Sequence, residues 1–136
     1  ESFDFPRALL KGSHDFSFSG MKTAFLNLSE KNKPYDKDKI SKLCNTFQEA
    51  IVDVITEKTI KAAEEHKCKG IVVTGGVAAN SHLRNEIKRK SLLPVFIPEK
   101  KLCTDNGAMI ASFVVENYKK SKSGFNNIDV KSVLNY

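Results

Sequence analysis

A strand, turn, helix and strand follow one another between Ile71 and Ile97, and this run constrains the fold more than any other stretch. Ile71, Val72, Val73 and Thr74 are β-prone and lead into Gly75 and Gly76. A polar helix start follows near Asn80, and the spacing predicts a helix over residues 81–90. Leu83 and Ile87 fall on its inner stripe, with Arg84, Lys88, Arg89 and Lys90 on its wet side. Pro94 and Pro98 fence a second short apolar strand. This is a βαβ unit, so the two strands are expected to be parallel with a right-handed crossover. Two parallel strands do not make a stable sheet, because both edges stay open and both faces need cover. Residues 16–18, Phe-Ser-Phe, alternate like a short strand and could add at most one more. The remaining strands must come from another chain, a swapped copy or sequence outside this stretch.

The segments before this unit read as helices. Residues 1–15 are irregular, with Pro6 and Lys11-Gly12-Ser13 marking loop. Ser19 is placed to cap a helix over residues 20–31, with Met21, Ala24, Phe25 and Leu28 on one face. Asp36 or Asp38 is placed to open a second helix that runs to about His66. Its apolar face carries Ile40, Leu43, Phe47, Ile51, Val54 and Ile55. Such a helix is on the order of 45 Å long, so it either kinks near residues 56–59 or spans a larger body. Gly70 is expected to end the helical region.

Beyond the second strand, a loop leads to a helix predicted over residues 106–120. From Gly107 to Val115 this helix has no charged residue, so it is expected to be buried. The last 16 residues read as a polar tail. The expected organisation is thus a lead-in over 1–15, an α/β body over 16–120 and a tail over 121–136.

A chain of 136 residues with 40% hydrophobic and 28% charged content belongs to the globular class. No run approaches the roughly 18 apolar residues of a membrane span, and no signal peptide opens the chain. With no initiator Met, Glu1 reads as the edge of a fragment. Cys44, Cys68 and Cys103 stand far apart without a C-x-x-C, which argues for reduced thiols in a cytosol-like compartment. The net charge of +6 suits an acidic partner such as RNA, although lysine-rich solvated surfaces give the same number.

Three places could carry chemistry. Gly75 and Gly76 let backbone turn sharply or approach a ligand, and the helix after them aims free N–H groups into the same space. Neither the G-x-G-x-x-G spacing nor a P-loop is present, and a plain strand-to-helix turn explains the glycines as well. Asn80 is either a polar residue at a helix start or an amide for a base edge or ribose hydroxyl. In C-T-D-N-G-A-M-I-A, residues 103–111, Thr104 or Asp105 sits where a helix cap belongs, and Asp105 is alternatively one oxygen ligand for a cation. Ser19, Gly20 and Lys22 could line a phosphate or RNA path, or simply begin a helix. His14, His66 and His82 lack metal-ligand spacing, and no base is placed to activate Cys103.

Three motifs, in this order and spacing, resemble one family. They are F-S-F-S-G-M-K-T at residues 16–23, G-G-V-A-A-N at 75–80 and C-T-D-N-G-A-M-I-A at 103–111. Together they are similar to the tRNA threonylcarbamoyladenosine biosynthesis transferases, TsaD, over the C-terminal part of that family's usual length. The resemblance implies a partial ribonuclease-H-like lobe of the actin-like ATPase and sugar kinase superfamily. It implies transfer of threonylcarbamoyl from its adenylate to the exocyclic amine of the adenosine 3′ of the anticodon, in the cytoplasm. Asn80, Gly75 and Gly76 would bind threonylcarbamoyl-AMP or ATP, and Asp105 would be a ligand for a divalent metal, iron or another. The implied partners are tRNA, other subunits of the modification complex and the N-terminal part of the same protein, with no membrane.

The family's H-x-x-x-H pair and glycine-rich substrate loop belong to that N-terminal part and do not occur here. This chain alone is therefore expected to be inactive. Met21 stands where Leu is usual and His82 where Arg is more usual. Two other readings stand beside this one: an ATPase or kinase of the same superfamily, and a non-catalytic interaction module using the open sheet edge.

Overall fold

The computed structural model describes residues 3–7, 13–31, 33 and 36–117. Four helices and a two-stranded parallel sheet are present among them. The expected tail and the end of the last predicted helix lie outside the described residues.

The chain divides into two compact units, Glu1–Thr104 and Asp105–Tyr136. In the first, α1 spans Ser19–Lys31. Its predicted face is the one that packs, with Met21 buried and Ala24, Phe25 and Leu28 against the same cluster. Ser19 is the first helical residue rather than the cap, because the Phe18 carbonyl already accepts the first helical bond from the Lys22 N–H at 3.0 Å. Residues 16–18 form no strand. Their two rings stack on each other with centroids 6.0 Å apart, and Ser17 shares a 3.4 Å contact with Ser19. Alternation makes a strand only where a neighbouring strand offers a ladder.

The second helix, α2, is Lys37–Glu65, 29 residues without a break. Asp36 caps it, accepting from the Lys39 N–H at 2.7 Å. Its length is explained by the two apolar clusters it joins. The first gathers Phe3, Phe5, Met21, Leu43, Ala50 and Val54, with the Phe5 and Phe47 rings 5.2 Å apart edge to face. The second gathers Ala63, Ile71 and Ile87, with Ile60, Val73, Leu93, Val95 and Ile97 against it. Leu43 and Val54 are buried as expected, whereas Ile40, near the start of α2, is exposed.

The helix ends five residues before Gly70. Lys67 adopts φ 51°, the Lys67 N–H donates to the Glu64 carbonyl at 3.0 Å and the Cys68 N–H to the Ala63 carbonyl at 2.8 Å. This is a Schellman closure built on a lysine instead of glycine. Gly70 has a different reason to be glycine: a Cβ there would lie 3.0 Å from the Pro94 carbonyl oxygen and 3.3 Å from the Phe96 ring.

The expected strand–helix–strand order and parallel pairing are present, with strands of only two residues each. β1, Ile71–Val72, pairs in parallel with β2, Val95–Phe96, through α3, Ser81–Lys90. Ile71 pairs with Val95 and Val72 with Phe96. Ile71 and Val95 join the second cluster, and α3 packs on α2, where Ile87 joins Ala63 in that cluster; Leu83 is also buried. The other register pair is left exposed among the described residues, Val72 at 70% and Phe96 at 62%.

In the second unit, α4 spans Gly107–Asn117. Contrary to expectation, none of its residues is buried, and Met109, Ile110, Phe113, Val114 and Val115 are all exposed. An apolar circumference shows that a helix needs cover; it does not place that cover on the same chain.

Candidate functional site

The turn between β1 and α3 is shaped by two glycines with different roles. Gly75 has φ 85°, a left-handed conformation that L side chains rarely adopt. Gly76 has no such φ and opens a 3₁₀ turn, Gly76–Ala79, closed by the Ala78 N–H on the Gly75 carbonyl at 2.9 Å. A Cβ built on either glycine meets no heavy atom of the described residues within 4 Å. The glycine side of the turn therefore faces open space.

Asn80 follows as the cap of α3. Its Oδ1 accepts from the Leu83 N–H at 3.0 Å, and its Nδ2 donates to Gln48 Oε1 of α2 at 2.8 Å. The cap reading of Asn80 thus holds, and the amide is also tied to α2. A primary amide carries two donors and two lone pairs. One donor and one acceptor of Asn80 remain beyond these two bonds. Beside it the Lys100 ammonium donates to Ser81 Oγ at 2.6 Å, which places a cation at the first turn of α3.

Arg84 is not on a wet side. It is partly buried, and its two Nη atoms donate to the Ala78 carbonyl at 2.8 Å and the Pro98 carbonyl at 2.6 Å. Nη1 also lies 3.7 Å from the Cys103 Sγ, whose thiol donates to the Glu99 carbonyl at 3.4 Å. Position 84 falls outside the Leu83–Ile87 stripe, so periodicity does not find it. A long side chain reaching back along the helix does what the period cannot show.

Lys58 was also beyond the sequence reading. It is 6% exposed, and its ammonium donates to the Ser13 and Asp15 carbonyls at 2.9 and 2.7 Å and lies 5.8 Å from the centre of the Phe16 ring. It ties the segment before α1 to the middle of α2. Its position four residues after Val54, on the apolar face, is the signal that finds it. Ser19, Gly20 and Lys22 make no hydrogen bond to the glycine turn among the described residues.

Asp53 joins three segments, with Arg7 Nε at 2.8 Å and Lys90 Nζ at 3.0 Å. Burial pushes its carboxyl up, but the bonds and charges of Arg7 and Lys90 outweigh that and hold it below the usual carboxylate range. The hydrogen bond from Arg89 likewise holds Glu86 down, against a smaller upward push from burial.

In the second unit the cap of α4 is Asn106, whose Oδ1 accepts from the Met109 N–H at 2.9 Å. Neither Thr104 nor Asp105 takes that position. Asp105 is exposed and makes no hydrogen bond or ion pair among the described residues, so its carboxylate is not engaged as a cap. Among those residues no group of three His, Cys, Asp or Glu could hold a metal ion. No helix among the described residues is long and apolar enough to cross a membrane.

Known proteins share this sequence. The family model TsaD, described as tRNA N6-adenosine threonylcarbamoyltransferase, matches residues 1–112. A tRNA N6-adenosine threonylcarbamoyltransferase of Dehalococcoides mccartyi is 45% identical over 131 residues, covering 96% of this chain and 39% of the relative. One from Syntrophus aciditrophicus is 46% identical over 124 residues, covering 88% and 36%. One from Thermosipho africanus is 41% identical over 133 residues, covering 93% and 39%. The chain spans about two-fifths of the length of these relatives.

Proposed function

Since this chain belongs to the tRNA N6-adenosine threonylcarbamoyltransferase family, TsaD, we propose that it supplies the C-terminal part of such an enzyme and carries its adenylate-binding turn. The observation that carries this reading is the open turn at Gly75 and Gly76, set at the head of α3 beside an amide with a spare donor and acceptor.

In this reading the nucleotide of threonylcarbamoyl-AMP lies against Gly75 and Gly76, and Asn80 bonds its base or ribose. The exocyclic amine of the tRNA adenosine attacks the carbamoyl carbonyl carbon. A C–N bond forms, the C–O bond to phosphate breaks, AMP leaves with the electron pair, and the amine gives up a proton. The mixed anhydride is already activated, so no side-chain nucleophile is needed. The contribution of these residues is to hold AMP while the amine approaches. Asp105 is proposed as one carboxylate ligand of a divalent metal, iron by family resemblance, with the family's histidine pair completing the set. Such an ion would polarise the oxygens of the substrate.

The rest of the protein is also proposed to extend the sheet, as a ribonuclease-H-like lobe requires. The exposed Val72 and Phe96 pair supports this. The chain alone is then inactive, and the working enzyme is cytoplasmic, meeting tRNA and the other subunits of its complex. The test is Asn80→Asp in the full-length transferase. The carboxylate still caps α3 and Gln48 can turn its amide to donate, so the fold is kept. The affinity for threonylcarbamoyl-AMP should fall at least about tenfold, because a carboxylate faces a phosphate-bearing ligand. Unchanged affinity would leave Asn80 as a cap and nothing more.

A further inference from the structure

We propose that Arg84 is the positioning residue of the nucleotide turn, acting as a clamp on two backbone carbonyls rather than as a phosphate ligand. The inference rests on the reading that residues 75–80 hold the nucleotide.

Three observations carry it. Both Nη atoms are spent on carbonyls, Ala78 at 2.8 Å inside the 3₁₀ turn and Pro98 at 2.6 Å just after β2. The Arg84 guanidinium therefore fixes the turn at Ala78 and ties it to the segment that leaves the sheet. Nη1 also stands 3.7 Å from the Cys103 sulfur, and that thiol is 5% exposed. Finally, no carboxylate lies within ion-pair distance of Arg84 among the described residues. The guanidinium is not held there by a counter-charge; the carbonyls hold it.

The planar fork matters here. A guanidinium can bridge two carbonyls that diverge in one plane, whereas an ammonium on a flexible stem satisfies one at a time. Losing the fork releases Ala78, and with it the shape of the turn that the ligand meets. The residue does not touch the ligand, so its loss weakens ground-state and transition-state binding alike.

The experiment uses the full-length transferase with Arg84→Lys and Arg84→Gln, and Gly76→Ala as a separate probe of the turn. AMP affinity is measured by calorimetry, KM and kcat for threonylcarbamoyl-AMP by transfer to tRNA, and Cys103 alkylation by peptide mass spectrometry. Both Arg84 variants should weaken AMP binding by about tenfold, the scale of one lost charge-assisted hydrogen bond. KM should rise more than kcat falls, and Cys103 should alkylate several times faster. Lysine should not rescue. Where Arg84→Gln does not fold, Arg84→Lys decides.

Wild-type AMP affinity in Arg84→Lys, alongside weakened affinity in Gly76→Ala, would overturn the clamp, because charge alone would then suffice. Unchanged Cys103 alkylation in both variants would overturn it as well. Should Gly76→Ala weaken AMP binding while the Arg84 variants do not, the clamp fails and the nucleotide reading stands. Should Cys103 become reactive while AMP affinity is unchanged in all three, the clamp on the backbone stands and the nucleotide reading fails.

Discussion

The two glycines of the turn make opposite predictions, and together they separate a fold requirement from a ligand requirement. Gly75 sits at φ 85° and ψ 173°, a region essentially reserved for glycine, so alanine there must carry strain of about 1–3 kcal/mol. Gly76 has no positive φ, and a Cβ added to it meets nothing within 4 Å among the described residues. Alanine at 76 should therefore not destabilise the chain. It should stabilise by about 0.4–1 kcal/mol, because the unfolded state loses more freedom than the folded one. That corresponds to a rise in Tm of roughly 1–4 °C for a protein of moderate size.

The same methyl group stands in the space proposed for the nucleotide. Forcing one extra carbon into a fitted contact typically costs about 1–3 kcal/mol, or roughly a fivefold to 150-fold rise in Kd. The assay pairs thermal unfolding with AMP calorimetry on full-length Gly76→Ala. The expected pattern is a protein at least as stable as the parent that binds AMP less well. A fall in Tm would show that the space beside Gly76 is not open. Parental AMP affinity would place the nucleotide elsewhere.

Two further outcomes follow from the packing. Asp53→Asn should cost about 1–2 kcal/mol at pH 7, since it removes a carboxylate shared by Arg7 and Lys90 at partly exposed positions. A carboxyl held down in the folded state gives stability that is present above the unfolded value of about 3.9 and is lost as pH falls through the native one. The difference between parent and variant in urea unfolding should thus close below about pH 4; a gap that persists unchanged into strong acid contradicts the assignment. Lys58→Met keeps the stem and removes the ammonium from the Ser13 and Asp15 carbonyls. Limited proteolysis should then cut near residues 13–18 several times faster, with the helices protected as before, and an unchanged cutting pattern would deny Lys58 its tethering role.

Helices and the βαβ unit were legible because their signals are local. The apolar face of α1, the Asp36 cap and the paired strands at 71 and 95 all follow from spacing within a few residues. What was missed lies in choices the local pattern leaves degenerate. Thr104, Asp105 and Asn106 are three cap-competent residues in a row, and the register of α4 selects the third. Lys67 takes a left-handed turn that composition assigns to Gly70, while Gly70 is used for its close approach to Pro94. Residues 16–18 alternate without finding a ladder. Arg84 escapes because a period assigns Cα positions to faces, whereas a long cation acts at the end of its side chain, several ångströms away.

The placement of these grips around the turn bears on how it would bind. Side chains hold its later half: Arg84 grips Ala78, Asn80 caps Leu83 and reaches Gln48, and Lys100 reaches Ser81. None grips Gly75 or Gly76 among the described residues. The turn is thus anchored on its helix side and bare on its glycine side. An anchored backbone keeps its shape before a ligand arrives, so less ordering has to be done on binding. A bare backbone lets the ligand approach without moving a side chain first. A plain strand-to-helix turn explains the positive φ of Gly75, and open space beside an ordinary φ also occurs at Gly20 and Gly107. What sets Gly76 apart is its place, next to that turn and ahead of the anchored head of α3.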